Sequence, residues 1–165
     1  MEMWDIYSSD GSKTGEIIER KKGALKKGQF HLVVHIWFID DKKRVLIQQR
    51  SMEVEFLKGK WAITGGCAVA GENEIDAAIR ESYEEVGIRI EKEDLSLIKK
   101  YRGKNDFVYV FAVKKKIGIC NVTMQTEEVQ AVKWASVEEL KSMVEKKIFH
   151  SYIYLPELYE YIESI

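Results

Sequence analysis

Residues 66–88 read GCAVAGENEIDAAIRESYEEVGI, and this stretch predicts the fold of the whole chain. Across residues 75–86 its apolar and small side chains recur every three or four positions, a pattern typical of an amphipathic α-helix with one buried stripe. Glycines flank this helix. Gly65 and Gly66 predict a loop that approaches a ligand closely, and Gly87 predicts a left-handed helix end. The segment therefore reads as a glycine-rich loop followed by a helix.

Three glutamates of the predicted helix lie along one of its edges. At about 100° per residue, Glu81, Glu84 and Glu85 fall within an arc of about 100° beside the apolar stripe. Carboxylates this close repel one another unless a cation lies between them. A site with several carboxylates suits Mg²⁺ or Mn²⁺. The spacing therefore predicts a divalent-metal site on this edge of the helix, although a solvated acidic helix has a similar composition.

The spacing of the charged residues resembles the Nudix box, Gx5Ex7REUxEExGU, in which U is an aliphatic residue. Gly66, Glu72 and Arg80 match its first half, and the glutamates of the helix match its second half. Ser82 is the one departure, because the family usually has an aliphatic side chain there. We expect the Ser82 hydroxyl to bond back to the carbonyl of Ala78, which makes the departure mild.

The resemblance implies both a fold and an activity. The fold is α+β, an α/β/α sandwich with a mixed β-sheet between helices. The activity is Mg²⁺-dependent hydrolysis, with Mn²⁺ as the other candidate ion, of a diphosphate linkage in a nucleoside diphosphate joined to another moiety. By resemblance, Arg80 orients a box glutamate through an ion pair, and Glu84 or Glu128 takes the proton of the attacking water. The implied catalytic residues are Arg80, Glu84, Glu85 and Glu128, and the implied metal ligands are Glu72, Glu81, Glu84 and Glu85.

The resemblance covers residues 30–88 and, more loosely, the chain up to Trp134. Family members commonly show a strand that ends in arginine, a variable loop, and a tryptophan shortly before paired glycines. Arg50, Trp61 and Gly65-Gly66 match this arrangement. We therefore assign Arg50, Gly65 and Gly66 to substrate binding.

Two histidines interrupt the apolar strand FHLVVHIWFI, residues 30–39. Both faces of this strand are mostly apolar, so it is expected at the centre of a sheet covered on both sides. His31 and His35 then need polar partners. Each can line a substrate cavity or be a buried, hydrogen-bonded side chain; we assign His31 to substrate binding.

Two further charged segments each allow two interpretations. Glu128 precedes a predicted strand near the place where many Nudix enzymes have a glutamate that acts as a metal ligand or general base, and the alternative is a surface role. The basic segment KKGALKK, residues 21–27, is either a phosphate-binding loop or an ordinary solvated loop.

Length and patterning predict one domain over residues 1–165, which the resemblance implies is a Nudix domain, with residues 1–29 as an N-terminal hairpin and loop extension. A capping box at residues 136–139 and Pro156 predict two C-terminal helices. Alternating apolar residues and turn signals predict strands at residues 2–7, 15–20, 30–39, 44–50, 61–64, 88–90, 97–101, 107–113 and 129–134.

Composition limits the partners and the compartment. The net charge of −1 argues against general nucleic-acid binding, and no apolar run is long enough for a membrane span. Two cysteines indicate no disulfide framework, so we expect a cytoplasmic protein. The resemblance implies a small-molecule diphosphate substrate. A homodimer through the N-terminal hairpin is a further expectation from the family.

Two alternatives remain open. The first is an enzyme like isopentenyl-diphosphate isomerase, whose histidine-bearing strand resembles residues 30–39. That enzyme has its catalytic cysteine immediately before the box glycine, where this chain has Gly65, and its box is degenerate. The second is a non-catalytic nucleotide-binding sensor. Such proteins typically lose box glutamates, and this chain retains all of them. Both comparisons favour a hydrolase.

Overall fold

The computed structural model describes residues 1–165 as nine strands and three α-helices, with short 3-10 turns at Lys92–Asp94 and Ile119–Asn121. The strands are β1 (Met3–Tyr7), β2 (Lys13–Glu19), β3 (His31–Ile39), β4 (Val45–Arg50), β5 (Trp61–Ala62), β6 (Thr64–Cys67), β7 (Leu95–Arg102), β8 (Asp106–Lys114) and β9 (Val129–Ala135). The helices are α1 (Glu74–Val86), α2 (Val137–Glu145) and α3 (Leu155–Ser164).

Strand β3 is the centre of a seven-stranded mixed sheet, as its apolar pattern predicts. It pairs in parallel with β8 along its whole length, from His31 opposite Asp106 to Ile39 opposite Lys114. It also pairs antiparallel with β6. On the far sides, β7 pairs antiparallel with β8, and β4 pairs antiparallel with both β5 and β9. The presence of parallel and antiparallel pairs confirms the predicted mixed sheet.

Helices cover both faces of this sheet. Alternate β3 side chains such as Val34 and Ile36 pack with Ala77 and Ala78 of α1 in one buried cluster. Trp37 and Ile39 point to the opposite face and pack with α2 and α3 in a second cluster. Because successive side chains of a strand point to opposite faces, one strand contributes to both cores. The α/β/α sandwich is confirmed. None of the three helices has the length and apolarity needed to span a membrane.

Helix α1 begins and ends where its sequence predicts. Asn73 is its N-cap and accepts hydrogen bonds from two backbone N–H groups of the first turn. Gly87 ends it in the left-handed conformation, with φ of 68°. The predicted Ser82 bond to Ala78 is wrong. The Ser82 hydroxyl, which is fully buried, instead donates to the carbonyl of Ile88 at 2.6 Å. This hydrogen bond therefore connects α1 to the segment that follows it.

Two predicted strands differ from the structure. The expected strand at 61–64 is divided at Ile63, because Trp61–Ala62 pairs with β4 whereas Thr64–Cys67 pairs with β3. The expected strand at 88–90 does not form. Ile88 and Ile90 are buried in the core, so their alternation reflects side-chain burial without strand pairing.

The N-terminal hairpin of β1 and β2 forms its own two-stranded sheet beside the glycine-rich loop. The backbone N–H of Ala70 donates to the Met3 carbonyl at 2.7 Å, and that of Gly71 donates to an Asp5 carboxylate oxygen at 2.8 Å. The hairpin therefore supports the loop that precedes α1. A homodimer through this hairpin stays a prediction.

Candidate active site

A cavity of about 430 Å³ opens between the glycine-rich loop, the edge of α1 and the segment that precedes α3. This volume lies within the range of small-molecule sites. Six of the predicted site residues line it: Arg50, Gly65, Gly66, Glu81, Glu84 and Glu128. The fold thus brings together side chains that are up to 78 positions apart in the chain.

Arg80 organises the glutamates around this cavity. Its guanidinium donates to both carboxylate oxygens of Glu72, at 2.7 and 3.0 Å. One guanidinium nitrogen also donates to Glu81 and Glu84, each at 2.9 Å. A further hydrogen bond of 3.0 Å reaches the Cys67 carbonyl in the loop. The Arg80 guanidinium therefore holds three carboxylates and the glycine-rich loop in a fixed arrangement.

Glu72 serves mainly as an anchor in this arrangement. Burial alone would raise its pKa, but hydrogen bonds from Arg80 and from the Val69 N–H outweigh burial and lower the pKa. Glu72 is thus ionised, and both of its carboxylate oxygens already accept hydrogen bonds from protein donors. Its assignment as a metal ligand stays a prediction, and the observed contacts are those of a residue that positions Arg80.

Two glutamates of α1 are buried at the base of the site. Glu85 is 1% exposed and accepts hydrogen bonds from the Gln48 amide at 2.9 Å and the Gly65 N–H at 3.0 Å. Burial, and next the charge of Glu81, raise its pKa to about 8. Burial also raises the pKa of Glu81 to about 7, against the opposing effect of Arg80. Because solvent cannot stabilise negative charge at these positions, both carboxyl groups keep their protons to a higher pH than an exposed glutamate does.

The paired glycines leave space for two different neighbours, the backbone of β3 at Gly65 and the Glu81 side chain at Gly66. A Cβ on Gly65 would collide with the Val34 carbonyl of β3, and one on Gly66 would collide with the Glu81 carboxylate. The absence of side chains therefore allows the Glu81 carboxylate to rest against the loop.

The two strand histidines have different surroundings. His35 lines the cavity, and its Nδ1 forms a 2.8 Å hydrogen bond with the Tyr154 hydroxyl. Burial lowers the pKa of His35 to about 3, so the ring is neutral. His31, the residue assigned to substrate binding, does not line this cavity, because its ring stacks on Trp4 of the hairpin at a centroid distance of 4.1 Å.

Several residues in or beside the cavity were missed by sequence reasoning. Gln48, which orients Glu85, was detectable as a buried amide in the otherwise apolar start of β4. Phe56, His150 and Tyr152 form an aromatic wall; the ring centroids of Phe56 and His150 are 6.1 Å apart, and those of His150 and Tyr152 are 4.6 Å apart. Nothing in their local sequence pattern marked these three residues.

The donor chemistry of the site fits a divalent cation. The carboxylates of Glu81, Glu84 and Glu85 are hard oxygen ligands of the kind that Mg²⁺ and Mn²⁺ prefer. Glu85 has no cationic partner in the protein, so a cation would stabilise its ionised form. In the described arrangement, no three His, Cys, Asp or Glu side chains of the chain are grouped closely enough to hold a metal ion.

Comparisons with known proteins agree with this geometry. The family model of the NUDIX domain matches residues 29–157. An uncharacterised Nudix hydrolase of Listeria monocytogenes is 30% identical over 160 residues, which cover 96% of this chain and 94% of that protein. An isopentenyl-diphosphate Delta-isomerase of Pectobacterium atrosepticum is 33% identical over 90 residues, 54% of this chain and 50% of that protein.

Among solved structures, the crystal structure of DR0079 from Deinococcus radiodurans has the same fold, with a TM-score of 0.77. The superposition covers 99% of this chain and 98% of that chain at 18% sequence identity. The mixed sheet between helices, the intact glutamate helix and the family match together define the class of protein. The chain belongs to the Nudix family and is a hydrolase of pyrophosphate bonds in small molecules.

Proposed function

We propose that this enzyme is an Mg²⁺-dependent hydrolase that cleaves the diphosphate linkage of a nucleoside diphosphate joined to another moiety. The observation that carries the proposal is the composition of the cavity, whose lining combines carboxylates of α1 with an aromatic wall. A planar base stacks well on exposed aromatic rings, and Phe56, which lines the cavity, is 65% exposed. Mn²⁺ is the alternative ion.

In this proposal, Glu81, Glu84 and Glu85 would hold the cation, with their carboxylates turned closer together than in the described arrangement, where Glu81 and Glu84 pair with Arg80. When bound, a divalent cation neutralises diphosphate oxygens and makes a water molecule easier to deprotonate. Arg80 contributes indirectly, because its ion pairs with Glu81 and Glu84 keep those carboxylates oriented. Glu72 supports the same arrangement through its two bonds to Arg80.

The chain's own residues then carry out the reaction. Arg50 lines the cavity, and its guanidinium can pair with diphosphate oxygens. The missing side chain at Gly66 leaves room for the Glu81 carboxylate against the loop, within the lining of the cavity. The carboxylate of Glu84 or Glu128 accepts a proton from water, the water oxygen attacks phosphorus, and the bridging P–O bond breaks. The products are two phosphorylated fragments.

Product analysis across a substrate panel tests this function. Purified enzyme is incubated with nucleoside diphosphate sugars, dinucleoside polyphosphates, nucleoside triphosphates and isopentenyl diphosphate, with Mg²⁺ or with a chelator, and products are separated by chromatography. We expect Mg²⁺-dependent hydrolysis of a nucleoside diphosphate derivative. Isomerisation of isopentenyl diphosphate without hydrolysis of any nucleotide would instead identify the isomerase activity of the Pectobacterium relative.

A matched pair of variants tests the base. Glu128 lines the cavity, whereas its neighbour Glu127 is exposed and does not. Glu128→Gln should lower kcat by about a hundredfold or more if Glu128 is the base, and Glu127→Gln should leave kcat unchanged. Equal rates in the two variants would assign the proton transfer to Glu84.

A further inference from the structure

A second pocket, of about 610 Å³, lies beside the catalytic cavity and is built from the N-terminal extension. Its lining residues are Trp4, Arg20, Lys21, Lys22, Gly23, Ala24, Leu25, Glu55 and Asn105. The first five residues of the segment KKGALKK, residues 21–25, therefore form a wall of a concave site. Arg20 lines both this pocket and the catalytic cavity, so the two are adjacent.

One side chain that lines this second pocket has a hydrogen-bond donor without a partner. Trp4 is only 8% exposed, and its indole Nε1 is buried without any acceptor in the protein. The His31 ring that stacks on it has the same property, because its Nδ1 is also buried without a partner. A buried donor without a partner costs about 1–3 kcal/mol. Trp4 lines the pocket, and because Nε1 itself has almost no accessible surface, an acceptor bound there would supply its missing partner after a small movement of the indole.

The charge around the pocket defines the kind of acceptor. Lys21 and Lys22 line it, and neither forms an ion pair within the protein. Arg20 adds a third cation and is paired with Glu2. Glu55 is the only carboxylate in the lining. Cationic side chains next to an available N–H donor suit an anion with several acceptor oxygens, above all a phosphate.

We propose that this second pocket binds a phosphate group carried by the second moiety of a substrate that occupies the adjacent catalytic cavity. The substrate would then be a nucleoside diphosphate derivative whose second moiety itself carries a phosphate. The substrate assignment rests on the proposed function, whereas phosphate binding in the pocket does not. In this proposal, Trp4 and the two lysines determine the preference for a substrate that carries this additional phosphate. The catalytic glutamates do not contact that phosphate.

Phosphate binding is measured directly by NMR, with inorganic phosphate as the probe. The chain has four tryptophans, so the ¹⁵N-labelled protein gives four indole N–H signals, and Trp4→Phe identifies the one from Trp4. We expect phosphate to shift the Trp4 signal without Mg²⁺ or turnover. The double variant Lys21→Gln/Lys22→Gln should weaken the apparent affinity by about tenfold or more, and the effect should grow at low ionic strength.

A second double variant is the matched control. Lys26→Gln/Lys27→Gln removes the same charge from the same loop, but neither side chain lines the pocket. It should bind phosphate within about twofold of the unmodified protein. An unmoved Trp4 signal, or an equal loss of affinity in both double variants, would overturn the proposal.

Kinetics distinguish a substrate phosphate from free inorganic phosphate. Two nucleoside diphosphate substrates that differ only in a phosphate at the remote end are compared. Lys21→Gln/Lys22→Gln should raise KM by about tenfold for the phosphorylated substrate only. An unchanged KM ratio, together with a phosphate-dependent Trp4 shift, would overturn the substrate assignment and identify the pocket as a site for free phosphate. If no panel compound is hydrolysed, the NMR result still decides whether the pocket binds phosphate.

Discussion

Replacing Glu85 by glutamine should abolish turnover and stabilise the metal-free fold at the same time. The side chain is fully enclosed, and glutamine has nearly the same size and keeps an oxygen that can accept from the Gln48 amide and the Gly65 N–H. The substitution therefore removes the charge with little change in packing. If Glu85 is a cation ligand, kcat should fall by several orders of magnitude.

The effect on stability follows from the pKa of the buried carboxyl. Burial raises the pKa of Glu85 from an ordinary value of 4.5 to about 8. Between these values the folded chain keeps a proton that the unfolded chain has lost, so the free energy of unfolding falls as the pH rises through this window. At about 1.4 kcal/mol per pH unit, the destabilisation at about pH 7 is roughly 3 kcal/mol. Glu85→Gln removes it.

Thermal unfolding in the presence of a chelator measures this difference. For a chain of this size, roughly 3 kcal/mol corresponds to an increase in Tm of roughly 5 to 10 °C at about pH 7. At about pH 4, where the carboxyl is protonated in both states, the two proteins should unfold at similar temperatures. Added Mg²⁺ should raise the Tm of the unmodified protein more than that of the variant.

Two results would refute this reasoning. Turnover within about tenfold of the unmodified enzyme would remove Glu85 from the cation site. A variant that is less stable at neutral pH would mean that the ionised carboxylate stabilises the metal-free fold, contrary to the buried-charge argument.

Three other substitutions test separate features of the structure. Gly66→Ala places a Cβ against the Glu81 carboxylate and should lower kcat by about a hundredfold; an unchanged kcat in steady-state kinetics would show that Glu81 need not rest on the loop. Ser82→Ala removes the buried hydrogen bond to the Ile88 carbonyl and should lower the free energy of unfolding by about 1–2 kcal/mol in urea titrations. An unchanged urea midpoint would contradict that role. Lys133→Ala should leave kcat/KM nearly unchanged, because Lys133 lies outside the cavity; a large loss would place part of the active site on that face of the sheet.

Much of this protein was predictable from local sequence. The periodicity of residues 75–86 predicted helix α1, and the alternating apolar strand at 30–39 predicted the centre of the sheet. Both patterns are repetitive over a dozen residues or fewer, so neighbouring positions reinforce one another. The division at Ile63 was not predictable, because it depends on which strand lies beside each half of the segment.

The candidate site, too, was predictable from local sequence only in part. Spacing alone placed Glu81, Glu84 and Glu85 on one edge of a helix, since that relation is set by helical geometry. It could not show that Arg80 holds Glu72, Glu81 and Glu84 together, because long side chains choose their partners only after the backbone has folded.

The sequence by itself determined the family, the glutamate helix and the central strand, because each depends on residues that are close together in the chain. Only the tertiary structure decided which distant side chains share a wall. It joined Phe56 to His150 in the aromatic wall, and it set Trp4 beside Lys21 and Lys22 in the second pocket. The physical reason is that burial and electrostatic contact act between neighbours in space, and those neighbours are fixed by how the sheet and the hairpin pack.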